Sequence, residues 1–315
     1  MKKIYEFLLW NNCNNNCTFC HQRSYQKKCS DKILNPQEQI ESINECKNFL
    51  KTEFEKGNHI LLVGGEIFDT LNEKVQESLK SLFDQVISQM LSEEIDLLYL
   101  NTNLLYQNTD LLYYFLDRID CHNLFNRLHF TTSYDIKGRF NCQKSEMLFY
   151  KNLKTLTDTY KDIKVIVNTV LTNNACKRIC EDWFGADFLL EHLKNQEKTQ
   201  FTIKDWIDYF RVDINTIPYI KLDSEEAPEM PTRNTVFETL LHIDTIIPGY
   251  LEIYANNISL KQEKLLFEYN KAQKKYIYCS SKNSDCGHSE NFKLSFSDSD
   301  KCFPCEVKKL LNYKA

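Results

Sequence analysis

The sequence predicts an α/β fold: a partial (β/α)6 TIM-like barrel with a small Cys-rich C-terminal metal-binding extension. Three observations predict it. Short apolar, β-branched runs alternate with segments of helical period through the first two-thirds of the chain, the pattern of parallel strands joined by helical crossovers. The 315 residues suit one large α/β domain with a lesser addition. Near residue 222 the composition turns acidic, and the last forty or so residues are rich in Cys, Ser and Asp. The expected division is therefore a core domain over 1–221 and an extension over 222–315.

The elements follow in order. Residues 4–10 form a short apolar strand. Asn35-Pro36-Gln37-Glu38 opens a helix that runs to about residue 56, with Asn35 able to cap it and Pro36 fitted to its first turn. Residues 59–63 are a second strand, stopped by Gly64-Gly65, and 73–91 an amphipathic helix. A third strand is expected over 95–100, a short helix over 110–119, a fourth strand over 127–133, a helix over 144–160 and a fifth strand over 163–171. A helical stretch follows to residue 193, and a sixth strand is expected within 206–214. Residues 223–231, acidic and carrying Pro228 and Pro231, read as a linker or surface loop, and 235–246 as helix.

Composition narrows the function. A hydrophobic fraction of 42 % with 13 % aromatics is enough for a packed core. The net charge of −5, with no long Lys/Arg run and adjacent lysines only in isolated pairs, disfavours a nucleic-acid partner. No apolar run reaches the roughly 18 residues that span a membrane, so a soluble cytoplasmic chain is expected. The Cys count is 13, and seven of them fall into two groups, Cys13/Cys17/Cys20 and Cys279/Cys286/Cys302/Cys305. Clusters of this kind in a cytosolic chain point to metal or iron–sulfur ligation.

The first group reads Cys13-Asn14-Asn15-Asn16-Cys17-Thr18-Phe19-Cys20-His21, directly after the first strand. Three thiolates on one loop can bind three irons of a 4Fe–4S cube and leave the fourth open to a chelating small molecule. Zinc is the competing reading, but it favours four protein ligands and only His21 stands nearby as a fourth.

This loop, C-x3-C-x2-C with Phe19 before the last Cys and Asn14 after the first, resembles the signature of the radical S-adenosylmethionine family. The resemblance implies an enzyme in which S-adenosylmethionine chelates the open iron and is reductively cleaved to a 5′-deoxyadenosyl radical that takes hydrogen from a substrate. It places Phe19 at the cofactor. It also matches Gly64-Gly65-Glu66 to a Gly-Gly-Glu motif whose backbone and carboxylate meet the methionyl amino group. The bare residues fit that role: two glycines permit close approach of a ligand to the backbone, and Glu66 can accept from an ammonium. Thr102 and Asn103 resemble the Thr-Asn that ends the family's third strand. Ser133 and Asp135 resemble its Ser-x-Asp, and Asn168, polar among β-branched neighbours in the fifth strand, reads as an inward ligand contact. These matches span residues 4 to about 171.

In the tail, Phe292, Leu294 and Phe296 alternate as in a strand and Asp298-Ser299-Asp300 suits a turn, which would return Cys302 and Cys305 toward Cys286. Four thiolates there fit structural zinc or a fully ligated auxiliary iron–sulfur cluster, with His288 a substitute ligand. The segment resembles the extensions called SPASM and twitch, although Asp300 stands where those have Gly and the later Cys of a full SPASM domain are missing. The resemblance implies a peptide or protein substrate, with a nucleotide or small-molecule substrate as the alternative, and an electron donor such as flavodoxin or ferredoxin. A non-catalytic zinc-binding adaptor is the opposing class.

Overall fold

The first two long helices begin at an Asn side chain that caps them. Asn35 accepts from the Glu38 amide at 3.0 Å and the Glu38 carboxylate accepts from the Asn35 amide at 2.8 Å, a reciprocal pair that fixes the start of α1 (Pro36–Thr52). Asn72 caps α2 (Glu73–Leu91) through the Val75 amide at 3.2 Å. Strands precede these helices: β1 (Ile4–Leu8), β2 (Asn58–Val63) and β3 (Ile95–Asn101). Next come α3 (Asp110–Cys121), β4 (Leu128–Ser133), α4 (Gln143–Thr159), β5 (Val165–Leu171) and α5 (Asn173–Cys180). The chain continues with α6 (Ile203–Phe210), β6 (Asp213–Pro218), α7 (Arg233–Ile246), α8 (Tyr250–Ser259), β7 (Lys264–Asn270) and β8 (Lys275–Tyr278). These come from a computed structural model. It describes residues 2–18, 20, 33–135, 138–140, 142–186, 189–190, 199–218, 229–259 and 264–278.

The strands form one eight-stranded sheet in the order β6-β5-β4-β3-β2-β1-β7-β8. β1 to β6 are parallel, and each pairs with the next in sequence. The fold is thus α/β, a six-stranded parallel sheet flanked by helices. Strand alternation divides its faces. Tyr5, Phe7, Ile60, Leu62, Leu98, Leu100, Phe130 and Val167 point into one large core with the helices. Ile4, Leu8, Leu61 and Val63 form a separate small cluster on the other face, with Tyr99 against it. Register continues that second face through Asn101 opposite Thr131, Ser133 opposite Asn168 and Asn168 opposite Asn215.

Two sequence expectations change: the helix after β5 ends at Cys180, residues 181–186 being turn and irregular, where a helical stretch to 193 is expected, and the sixth strand moves. The sixth strand is not within 206–214: residues 203–210 are helix and the strand is Asp213–Pro218. Thr202 accepts from the Asp205 amide while Asp205 accepts from the Thr202 amide, and Ile203, Trp206 and Phe210 are buried at helical spacing. Trp206 packs 4.4 Å from Tyr134 and 4.7 Å from Phe210, so the aromatic run serves the helix layer. Arg211 closes the helix in the left-handed conformation at φ 54° and turns the chain into β6.

Beyond residue 222 two further strands join the sheet. β7 pairs in parallel with β1, and β8 returns antiparallel to it. Phe267 stacks between Tyr5 and Phe7, and the Tyr276 hydroxyl meets Ser42 of α1 at 2.9 Å. β7 and β8, within the expected extension, are therefore strands of the core sheet. The strand and turn expected over 292–300 and the four tail cysteines lie outside the described residues, as does most of the acidic segment.

Candidate functional site

Because β1 to β6 run parallel, the loops that follow them gather at one edge of the sheet, where α/β folds place their sites. Cys13, Cys17 and Cys20 follow β1; Gly64, Gly65 and Glu66 follow β2; Thr102 and Asn103 follow β3; Asp135 follows β4. Phe19 and His21 lie outside the described residues.

The Cys loop is held by polar side chains from neighbouring strand ends. The Asn14 amide group donates to the Leu105 carbonyl at 3.0 Å, and Asn103 donates to Asn14 Oδ1 at 2.7 Å and toward Cys13 Sγ at 3.7 Å. Asn15 Nδ2 donates to Cys17 Sγ at 3.1 Å and to the Arg139 carbonyl at 3.0 Å. The Thr18 amide donates to the Gly138 carbonyl at 2.8 Å. Cys13 is exposed, while Cys17 and Cys20 are half-buried. Burial pushes the Cys17 thiol up to about 12, and the positive charge of Arg139 acts in the opposite direction.

Gly64 and Gly65 do their work against the chain itself. The Gly65 amide donates to the Trp10 carbonyl at 2.9 Å and the Glu66 amide to the Asn12 carbonyl at 2.8 Å. A Cβ on Gly65 would lie 2.0 Å from the Asn12 carbonyl oxygen. The close approach expected of a ligand is thus made, at Gly65, by the backbone that leads into Cys13.

Glu66 is 4 % exposed and its carboxylate is already engaged. It accepts from the Asn103 amide at 2.6 Å, the Phe68 amide at 3.0 Å and the Thr102 hydroxyl at 3.0 and 3.1 Å. Burial pushes its carboxyl up to about 7 despite these donors. Glu66 locks the end of β2 to the end of β3, which sets Asn103 beside Cys13 and Asn14.

Asp135 is 2 % exposed. One oxygen accepts from the Val170 amide at 2.8 Å; the other has no hydrogen-bond partner among the described residues. Burial raises its carboxyl to about 7, against the pull of Arg139. Ser133 and Asn168 stand opposite each other on the second face, and Asn168 Oδ1 accepts from Asn215 at 2.7 Å. Of the predicted residues, Asn103 is hydrogen-bonded to the Cys loop directly and Glu66 and Thr102 are linked to it through Asn103 and Asn12; Asp135 reaches it through charge; Ser133 and Asn168 stand apart on the sheet face.

No protein-family model matches the chain, and no curated protein matches its sequence. Sequence reasoning missed Arg139, whose backbone grips the Cys loop and whose guanidinium is buried behind it. A lone Arg in the loop after β4 carries no local signal; only its place among the thiols and carboxylates marks it. Asn15 and Asn215 were missed for the same reason.

Proposed function

We propose that this chain is a radical S-adenosylmethionine enzyme acting on a peptide or protein substrate. In this reading the sheet is the wall of a partial (β/α)6 barrel, and the Cys-rich tail is a metal-bearing extension. The observation that carries it is the tying of three separated segments, 13–20, 64–66 and 102–103, into one hydrogen-bonded unit at the carboxyl edge of parallel strands.

The donor set suits a cluster. Cys13 and Cys17 each receive a side-chain N–H from an Asn, the contact a thiolate sulfur favours. Among the described residues no group of three or more His, Cys, Asp or Glu converges on a single point as one metal ion requires. In a cubane each of the three thiolates would bind its own iron. Cys13, Cys17 and Cys20 would hold the 4Fe–4S cluster, which when bound supplies the electron that cleaves S-adenosylmethionine to a 5′-deoxyadenosyl radical. The chain's own part is to position and to exclude water. Asn14, Asn15 and Asn103 hold the loop open in one conformation. Asn101, Thr131, Ser133, Asn168 and Asn215 present uncharged donors and acceptors on the face beneath it.

The test is anaerobic reconstitution of wild type and Cys17→Ala. Wild type is expected to be brown, to carry at least about four irons and four sulfides, and to release 5′-deoxyadenosine with dithionite. Cys17→Ala is expected to lose that release. A colourless wild type that binds only zinc would overturn the proposal and favour the adaptor reading.

A further inference from the structure

Among the described residues, Arg139 is the one lysine or arginine that is buried, at 5 % exposure. A guanidinium taken out of water is costly unless it is paired, and among the described residues Arg139 has few partners. Its Nη2 donates to the Asn103 carbonyl at 3.3 Å and its centre lies 5.9 Å from the Phe149 ring, but Nε has no partner among the described residues. Asp135, close enough to couple with it electrostatically, likewise has an unpartnered buried oxygen.

Among the described residues, the atoms around the side chain therefore leave part of its hydrogen-bonding capacity unused. Its backbone shows what it sits behind. The Arg139 carbonyl accepts from Asn15 at 3.0 Å and lies 3.9 Å from Cys17 Sγ, and the preceding Gly138 carbonyl holds Thr18. The Asn103 residue that receives its guanidinium is the one that donates toward Cys13. Arg139 thus reaches the Cys loop from two sides. Its charge is close enough to act on the Cys17 sulfur as well as on Asp135.

We infer that Arg139 is the counter-charge and positioning residue of the cluster on Cys13, Cys17 and Cys20, setting its reduction potential. This rests on the function proposed above. One electron from a donor protein makes the cluster one unit more negative, and a fixed cation nearby stabilises that reduced form over the oxidised one. Cluster potentials respond to net charge, hydrogen bonds to sulfur and solvent exposure. Arg139 supplies the charge and, by filling the space behind the loop, limits the exposure. Asp135 acts on the same field with the opposite sign.

The experiment uses full-length protein reconstituted anaerobically: wild type, Arg139→Lys, Arg139→Met and Asp135→Asn. Iron and sulfide are counted, and the cluster is titrated with dithionite and mediators while the reduced signal is followed by electron paramagnetic resonance. Arg139→Met is expected to move the midpoint negative, cutting the reduced-to-oxidised ratio at the wild-type midpoint about tenfold. Arg139→Lys should stay near wild type, and Asp135→Asn should move positive. If the Met variant does not fold, the Asp135→Asn shift carries the test alone. An unchanged midpoint in both Arg139→Met and Asp135→Asn overturns the inference. So does equal loss of cluster from the Lys and Met variants, which marks a packing role alone. A wild type that takes up no iron and sulfide overturns the functional reading itself, and is seen before any variant is compared.

Discussion

Replacing Gly65 with alanine tests how closely the loop after β2 is packed on the segment that leads into the Cys loop. The new Cβ would sit 2.0 Å from the Asn12 carbonyl oxygen, 2.4 Å from its carbon and 2.7 Å from the Asn11 oxygen. All three are backbone atoms, so no rotamer change relieves them. Ordinary contact requires a separation of more than 1 Å beyond this, which would break the Gly65–Trp10 and Glu66–Asn12 hydrogen bonds. Two such bonds are worth about 2 kcal/mol, and overpacking adds about 1–3 kcal/mol. The expected loss is about 3–5 kcal/mol, a fall in Tm on the order of 10 °C for a chain of this size. Two other glycines calibrate it. At Gly64 the nearest atom is the Ile67 Cγ2 at 2.9 Å, a side-chain end that can shift, so alanine there should cost about 1–2 kcal/mol. At Gly57 nothing lies within 4 Å, and only its φ of +79° penalises alanine, by roughly 1 kcal/mol. The assay is thermal unfolding of metal-free protein by circular dichroism, with iron uptake beside it. If Gly65→Ala melts within 2 °C of Gly57→Ala and takes up iron normally, the interlock of the two loops is refuted.

Three further outcomes are expected. Glu66 and Asp135 both titrate near 7 in the folded protein, above their ordinary values of 4.5 and 3.8. Their contribution is therefore fully present below about pH 4 and is lost as pH rises through 7; urea midpoints at pH 5.5 and 8 should converge in Glu66→Gln relative to wild type, and an unchanged difference would show that Glu66 is not the group responsible. Asn15→Ala removes the side chain shared by Cys17 Sγ and the Arg139 carbonyl; a loss of about 1–2 kcal/mol and faster release of iron to a chelator are expected, and wild-type release kinetics would count against the bridge. Finally, replacing Cys279, Cys286, Cys302 and Cys305 together by Ala should lower iron from about eight to about four per chain; loss of one zinc with iron constant would make the tail a structural metal site.

What could be read from the residues alone was local. The strand at 59–63, the helix over 73–91 and the cap at Asn35 each depend on side chains within a few positions, and capping and hydrophobic period are expressed over that range. The Cys loop was legible because its spacing is itself the signal. The helix over 203–210 is equally local, with its Thr202–Asp205 capping box, but the apolar run at 206–214 carries a strand-like composition that competes with it. Tertiary structure alone decided the rest. β7 lies beside β1 in the sheet although some 260 residues separate them in the chain, because the Tyr5 and Phe7 rings offer Phe267 a face to stack on. Gly65 takes its meaning from Asn12, Glu66 from Asn103, and Arg139 from thiols more than a hundred positions earlier. Pairings over such separations leave no pattern within a window of sequence. They are selected by which packed arrangement satisfies buried polar groups and fills the core.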